Sequence, residues 1–391
     1  MKLKIFLSIL VFLLFAASVY VFFVLGKSID KQRNHVDLKK LPEISEKAQN
    51  LHAELIIADW HADPLLWDRN LLKRINYGMI DIPRLIEGNY TLQVFAAVTK
   101  SPSGQNYYQN KTNVLDNITF LAIANRWPVR TWSSLCDRAL YQSNKLYRTE
   151  KKSRGKFIVI TSKKELKELI SLRKSNADIV GGVLAIEGLH ALEGKISNFD
   201  RLYNTGYRIM GLTHFFDNKV GGSSSGVSKG GLTEFGKEVI RRIKEKSVII
   251  DLAHASPQLI SDVSALSNRP VIVSHSGAKS INNSPRNLSD AEIRLIASKG
   301  GLIGVGFWNE AVVDIHPQSI VRSIKHMVTI AGIDHVSLGS DFDGSVHTYF
   351  DASQIILLTD ALMDEGFSNE EIKKIMGGNQ IRFLLKYLPD N

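Results

Sequence analysis

From Leu51 onward the chain alternates short β-branched runs with longer stretches of helical period, and this alternation restricts its fold more than any other feature. Repeated βα units build a parallel sheet, because two parallel neighbours need a long crossover between them. Eight runs qualify: residues 55–59, 92–96, 182–186, 207–211, 248–252, 271–274, 302–306 and 336–340. That number closes a barrel, so the expected fold class is α/β, a (β/α)8 TIM-like barrel. The 391 residues would hold two average domains, yet barrels of this kind routinely use well over 200 residues as one.

The amino terminus predicts a separate element. After Lys2 and Lys4 an apolar run occupies residues 5–25, about the ~20 residues that cross a bilayer as a helix. The apolar core of a cleaved export signal usually stops after about 7 to 15 residues, so an uncleaved anchor is expected. Cleavage after Ser18 or Gly26 would instead release a secreted protein. The expected organisation is a signal-anchor helix at 1–27, a polar Lys-rich stalk at 28–48 and a barrel domain at 49–391. It places that domain outside the cytoplasm, on the periplasmic or extracellular face. The membrane is then one partner, reached through this helix.

A net charge of +10 invites a nucleic-acid reading, but most of it is local. Residues 145–174 hold eleven Lys or Arg against three acids, with no interleaved aromatic ladder, so a solvated helix face is expected and no nucleic-acid partner. Cys136 is the only cysteine, which removes intrachain disulfides and thiolate-rich metal sites. Any metal must use His and carboxylates.

The residues just past the strands carry the chemistry. Run one leads into His61 and Asp63, run three into Glu187, run four into His214, run five into His254, run six into His275 and run eight into Asp341. Parallel barrel strands all end on one rim, where residues hundreds of positions apart meet. In His61-Ala62-Asp63 the spacing of two points both side chains the same way on an extended strand end, which suits one metal; an ordinary buried His–Asp hydrogen bond gives the same pattern. Glu187 needs a cationic partner inside a barrel mouth: a metal, which a carboxylate can bridge to a second one, or an arginine such as Arg208. His254 and His275 end consecutive runs, and two imidazoles with a carboxylate make an open zinc site. Arg286, held after Pro285 in the loop beyond run six, could clamp a carboxylate or lie on the surface. The Gly221–Gly231 stretch, five Gly and four Ser, reads as a mobile lid or an unstructured loop.

Together these residues resemble the membrane (renal) dipeptidase family, peptidase family M19, from about Leu51 to the carboxy terminus. The resemblance runs in family order through Ile186-Glu187-Gly188, Gly211-Leu212-Thr213-His214, Asp251-Leu252-Ala253-His254, Val273-Ser274-His275-Ser276, Pro285-Arg286-Asn287, Gly339-Ser340-Asp341-Phe342-Asp343-Gly344 and Gly377-Gly378-Asn379. It implies a barrel of the metal-dependent hydrolase type and two Zn2+ per chain, one held by His61 and Asp63, the other by His254 and His275, with Glu187 bridging them. His214, Arg286 and Asp341 contact substrate, with Asp341 and His214 catalytic. The implied activity is zinc-dependent hydrolysis of dipeptides by a hydroxide that the metals activate. Alternatives are another binuclear metal amidohydrolase, a deacylase or lactonase, on the same barrel, or a non-catalytic membrane-attached binding protein. A homodimer stays open. Trp60 and the stretch at 277–283 depart from the family pattern, and residues 101–156 match it least.

Overall fold

The computed structural model describes residues 1–390. All eight expected strands are present: β1 (Ile57–Ala62), β2 (Tyr90–Val98), β3 (Val180–Glu187), β4 (Tyr207–Gly211), β5 (Ile249–Asp251), β6 (Ile272–Ser276), β7 (Leu302–Val305) and β8 (Val336–Leu338). Each pairs in parallel with the next, and β8 returns to β1, so the sheet closes. One further strand, Phe157–Val159, lies along the first residues of β3 before β4 takes up that side. The outer helices begin where side chains can satisfy free backbone N–H groups. Ser256 caps Pro257–Leu266, and Ser289 caps Asp290–Ser298, with the Ser289 N–H donating in return to the Glu292 carboxylate.

Alternation along the strands divides the core in two. Ile57, Leu184, Met210 and Val273 pack outward against the helices, whereas Trp60, Leu92, Val94, Val183 and Ile209 form an inner cluster. The last helix, Asn379–Tyr387, adds Phe383 and Leu384 to the inner cluster, and Phe383 meets Trp60 edge to face at 5.9 Å between ring centroids. Trp60, unusual by sequence, is therefore a barrel-filling residue. The approach to this helix explains the Gly377-Gly378-Asn379 motif. A side chain at Gly377 would sit 2.2 Å from the Ile56 carbonyl, and the Asn379 amide donates to the carbonyls of Ile333 and Val336. The carboxy-terminal segment thus plugs the end at which the strands begin, and leaves the opposite end as the mouth.

The amino terminus is one helix from Lys2 to Arg33 with a wider turn at Tyr20–Leu25, long and apolar enough to cross a membrane. No residue of Lys2–Val19 is buried, but Gly26 and Asp30 are. The final turns therefore dock on the protein. Asp30 accepts from Arg69, which also binds the buried Asp343, and Asn34 Oδ1 accepts from the Ser345 N–H at 3.0 Å. Cys136 is fully buried, and burial pushes its thiol up to about 11, which leaves it an inert small hydrophobe.

Candidate metal centre at the barrel mouth

Two strand irregularities aim the ligands. The pairing of β1 with β2 shifts register between Asp59 and Ala62, and that of β6 with β7 between Val273 and Ser276. Trp60 points inward, so strict alternation would turn its neighbour His61 away; the irregularity at β1 brings His61 to the mouth, and the one at β6 does the same for His275. Glu187 ends β3 on the inward parity of Val183 and Ala185. His254 and Asp341 follow β5 and β8 in the left-handed backbone region, at φ 62° each, which costs a non-glycine residue about 1 kcal/mol or more. Small residues let the strands close around His275. A side chain at Gly304 or at Gly339 would meet the Ser274 carbonyl at 2.0 Å.

The seven rim residues named from the sequence converge. Glu187 Oε1 lies 2.9 Å from His254 Nε2, 3.3 Å from His275 Nε2 and 3.6 Å from His61 Nε2. His61 Nε2 is 3.5 Å from Asp63 Oδ2 and 3.9 Å from Asp341 Oδ1, and His214 Nε2 is 3.3 Å from Glu187 Oε2. Donor atoms of His61, Asp63 and Glu187 form one group within 4.8 Å, those of Glu187, His254 and His275 a second, and Glu187 belongs to both. A third group, of His61, His275 and Asp341, overlaps them.

These residues fit a metal. His61 Nε2 and Asp63 Oδ1 are buried without a hydrogen-bond partner. Among the described residues no Lys or Arg forms a salt bridge with Asp63, Glu187 or Asp341. Arg208, the alternative partner for Glu187, instead donates to the carbonyls of Thr161 and Tyr203. Loss of water drives Glu187 and Asp63 well above the usual carboxylate range and lifts Asp341 to about 8. The same desolvation holds His214, His254 and His275 well below the usual imidazole range, so they are neutral and able to ligate. Crowded carboxylates with no Lys or Arg salt-bridged to them, beside neutral imidazoles, suit divalent ions.

Hydrogen bonds behind the donors fix their orientation. The Ser274 hydroxyl donates to Asp251 Oδ2 at 2.6 Å and so accepts from His275 Nδ1 at 2.8 Å, which leaves Nε2 of His275 bare toward the mouth. Asp59 accepts from the N–H groups of His61 and Ser340 and from the Ser340 hydroxyl, tying the two loops that carry His61 and Asp341. Sequence reasoning assigned none of these four residues a role, although an acid at the end of an apolar strand, as at Asp251, is a usable signal. His190 is buried 3.0 Å from the Thr99 hydroxyl, behind His214.

The cavity above these residues has a volume of about 740 Å³. Arg286 lines it, 3% exposed: one Nη donates to the His275 carbonyl at 2.8 Å, its Nε has no partner, and its guanidinium lies 5.8 Å from the Trp308 ring centre. Tyr107, from the least family-like stretch, packs on Phe215 and forms another wall, while Leu25 and Ile29 of the amino-terminal helix form the outer lip. The first half of the Gly221–Gly231 stretch is packed, while residues 227–229 are exposed. Residues 221–226 are buried, Ser223 donates to the His214 carbonyl, and the Ser224 N–H donates to that of His254 at 2.8 Å. Its glycines serve close packing: a side chain at Gly222 would meet the Gly230 backbone at 2.2 Å.

The chain matches the family model described as membrane dipeptidase, peptidase family M19, over residues 45–387. It is 31% identical over 212 residues to dipeptidase verJ of Clonostachys rogersoniana, covering 52% of this chain and 55% of that protein. It is also 31% identical over 222 residues to the uncharacterized dipeptidase C965.12 of Schizosaccharomyces pombe, 51% of each. The matched part thus spans about half the length of these curated relatives. Among solved structures, the probable dipeptidase PvdM of Pseudomonas aeruginosa superposes with a TM-score of 0.73 at 20% identity, over 88% of this chain and 98% of that one. A metallo peptidase of Rhodobacter sphaeroides, liganded with a phosphinate mimic of the dipeptide L-Ala-D-Ala, gives 0.67 at 22%, over 85% and 99%.

Proposed function

The chain belongs to the membrane dipeptidase family, peptidase family M19, and from that premise we propose that it hydrolyses dipeptides with two zinc ions, tethered to a membrane by its Lys2–Arg33 helix with the barrel outside the cytoplasm. His61 and Asp63 would hold one ion, His254 and His275 the other, with Glu187 shared. The observation that carries this reading is the position of Glu187, buried and common to two donor groups with no arginine or lysine bonded to it. Bound zinc lowers the pKa of water enough to supply a nucleophile at neutral pH and polarises a carbonyl.

The chain's own residues perform the remaining work. Asp341 faces the cavity within 3.9 Å of His61; ionised once cations sit beside it, it would take the proton of the attacking water and return it to the leaving amine. His214, with Nε2 directed at the centre, donates to the oxyanion that develops on the scissile carbonyl. Arg286, buried and with an unpartnered Nε–H, binds the free carboxylate of the second residue. That bond makes length a criterion, because a substrate must end one residue past the scissile bond. Tyr107 and Trp308 wall the cavity and limit water.

The test is a hydrolysis panel of dipeptides, tripeptides and carboxy-amidated dipeptides with zinc content measured alongside. Dipeptides should turn over and their amides should not. Equal turnover of both would remove the dipeptidase reading and favour a general amidohydrolase on the same centre.

A further inference from the structure

The segment leaving the membrane helix crosses the rim of the mouth and pairs with it. His35–Val36 and His347–Thr348 form a short parallel ladder, with His35 opposite His347. It continues through hydrogen bonds from the Asp37 N–H to the Thr348 carbonyl and from the Leu38 N–H to the Tyr349 carbonyl. Opposite residues on neighbouring strands share a face at roughly 5 Å, and a residue two positions along joins them. His35, His347 and Asp37 satisfy both relations.

Their donor atoms converge accordingly. Asp37 Oδ1 lies 3.4 Å from His35 Nε2 and 2.7 Å from His347 Nε2, and the two rings are 4.9 Å apart. All three donors fall within 4.8 Å of one another. A hydrogen bond between His347 and Asp37 accounts for one of these approaches but not for the presence of His35 on the same side. Tetrahedral zinc, with bonds of about 2.0 to 2.2 Å, sets its donors roughly 3.3 to 3.6 Å apart. The His35 to Asp37 separation already has that value, and the half-exposed His347 side chain can rotate to it.

We propose that His35, Asp37 and His347 form a further divalent-cation site, suited to zinc by its two imidazoles and one carboxylate, that staples the segment after the membrane helix onto the catalytic rim. Three protein ligands leave a coordination position for water. The staple has a structural consequence. The same segment carries Asn34, bonded to Ser345, and is continuous with the helix whose Leu25 and Ile29 form the lip of the cavity. Cation binding at the ladder therefore holds that lip against the loop following Asp341. The site is built from residues outside the catalytic centre, and it stands whether or not the substrate is a dipeptide.

The experiment uses the full chain in detergent micelles, equilibrated by dialysis against buffered free zinc, with bound zinc counted per chain. Wild type should hold roughly one ion more than His35→Ala or Asp37→Asn, and His35→Cys, which supplies another zinc ligand, should restore it. Because the centre in the mouth is common to all variants, the difference reports the ladder site alone. Hydrogen exchange of residues 26–38 should slow on zinc addition in wild type and stay unchanged in His35→Ala. Equal zinc counts in wild type and His35→Ala overturn the site. Differing counts with zinc-insensitive exchange overturn the staple.

Discussion

Asp341 and His254 both occupy a backbone conformation that few side chains adopt readily. Asparagine tolerates that region as well as aspartate, so Asp341→Asn removes the proposed proton acceptor without disturbing the turn. It should lower kcat by about 10²- to 10⁴-fold with KM little changed, as loss of a general base does. Arg286→Ala should mainly raise KM for dipeptides, and steady-state kinetics on both variants would reveal an equal fall in kcat if this division is wrong. A histidine away from the centre makes a different prediction. His52 is buried against Thr359, and desolvation lowers it from 6.5 to about 4. Above pH 6.5 both folded and unfolded chains keep it neutral. As pH falls toward 4 the unfolded chain takes up a proton that the folded one refuses, so stability declines. Between pH 7 and pH 5 that loss is about 2 kcal/mol, and denaturation of His52→Gln should show a correspondingly smaller drop.

At the scale of elements, the centre depends on how strands end. Ser274 links Asp251 to His275 across β5 and β6. Ser274→Ala should leave the barrel folded but weaken metal binding about 10- to 100-fold, measurable by competition with a chelator; unchanged affinity would mean that His275 is oriented by packing alone. The eight strands and the rim positions of His61, Glu187, His214, His254, His275 and Asp341 were legible in the sequence, because short β-branched runs separated by helices admit few other arrangements. The irregularities that turn His61 and His275 into the mouth were not, since a local register shift depends on the neighbouring strand. Nor was the packing of Gly221–Gly226: glycine and serine read as freedom in a sequence, whereas here their small size lets backbones approach. Tyr107 escaped notice because a stretch without periodicity does not disclose what it covers.

For the whole molecule, the amino-terminal helix, long and apolar enough to cross a membrane, docks beside the barrel mouth. The expected polar stalk of residues 28–48 includes the buried Asp30 and Asn34, which lie on the barrel. Arg69 is the junction, placed between Asp30 of the helix and Asp343, two residues beyond Asp341. Arg69→Met would strand Asp343 as a buried charge, at a cost of about 3 to 5 kcal/mol. Thermal unfolding should fall markedly, and Asp343→Asn on the same background should recover part of it; no loss in the single variant would show that the helix rests on the barrel without this tie. Everything proposed for the mouth requires Glu187 to be shared by two metal ions. Anomalous diffraction at the zinc edge from crystals of the zinc-loaded protein tests it most directly. Two peaks are expected in the mouth, one beside His61 and Asp63 and the other beside His254 and His275, each in contact with Glu187; a mouth with no peak, or with peaks that leave Glu187 untouched, would refute the shared centre.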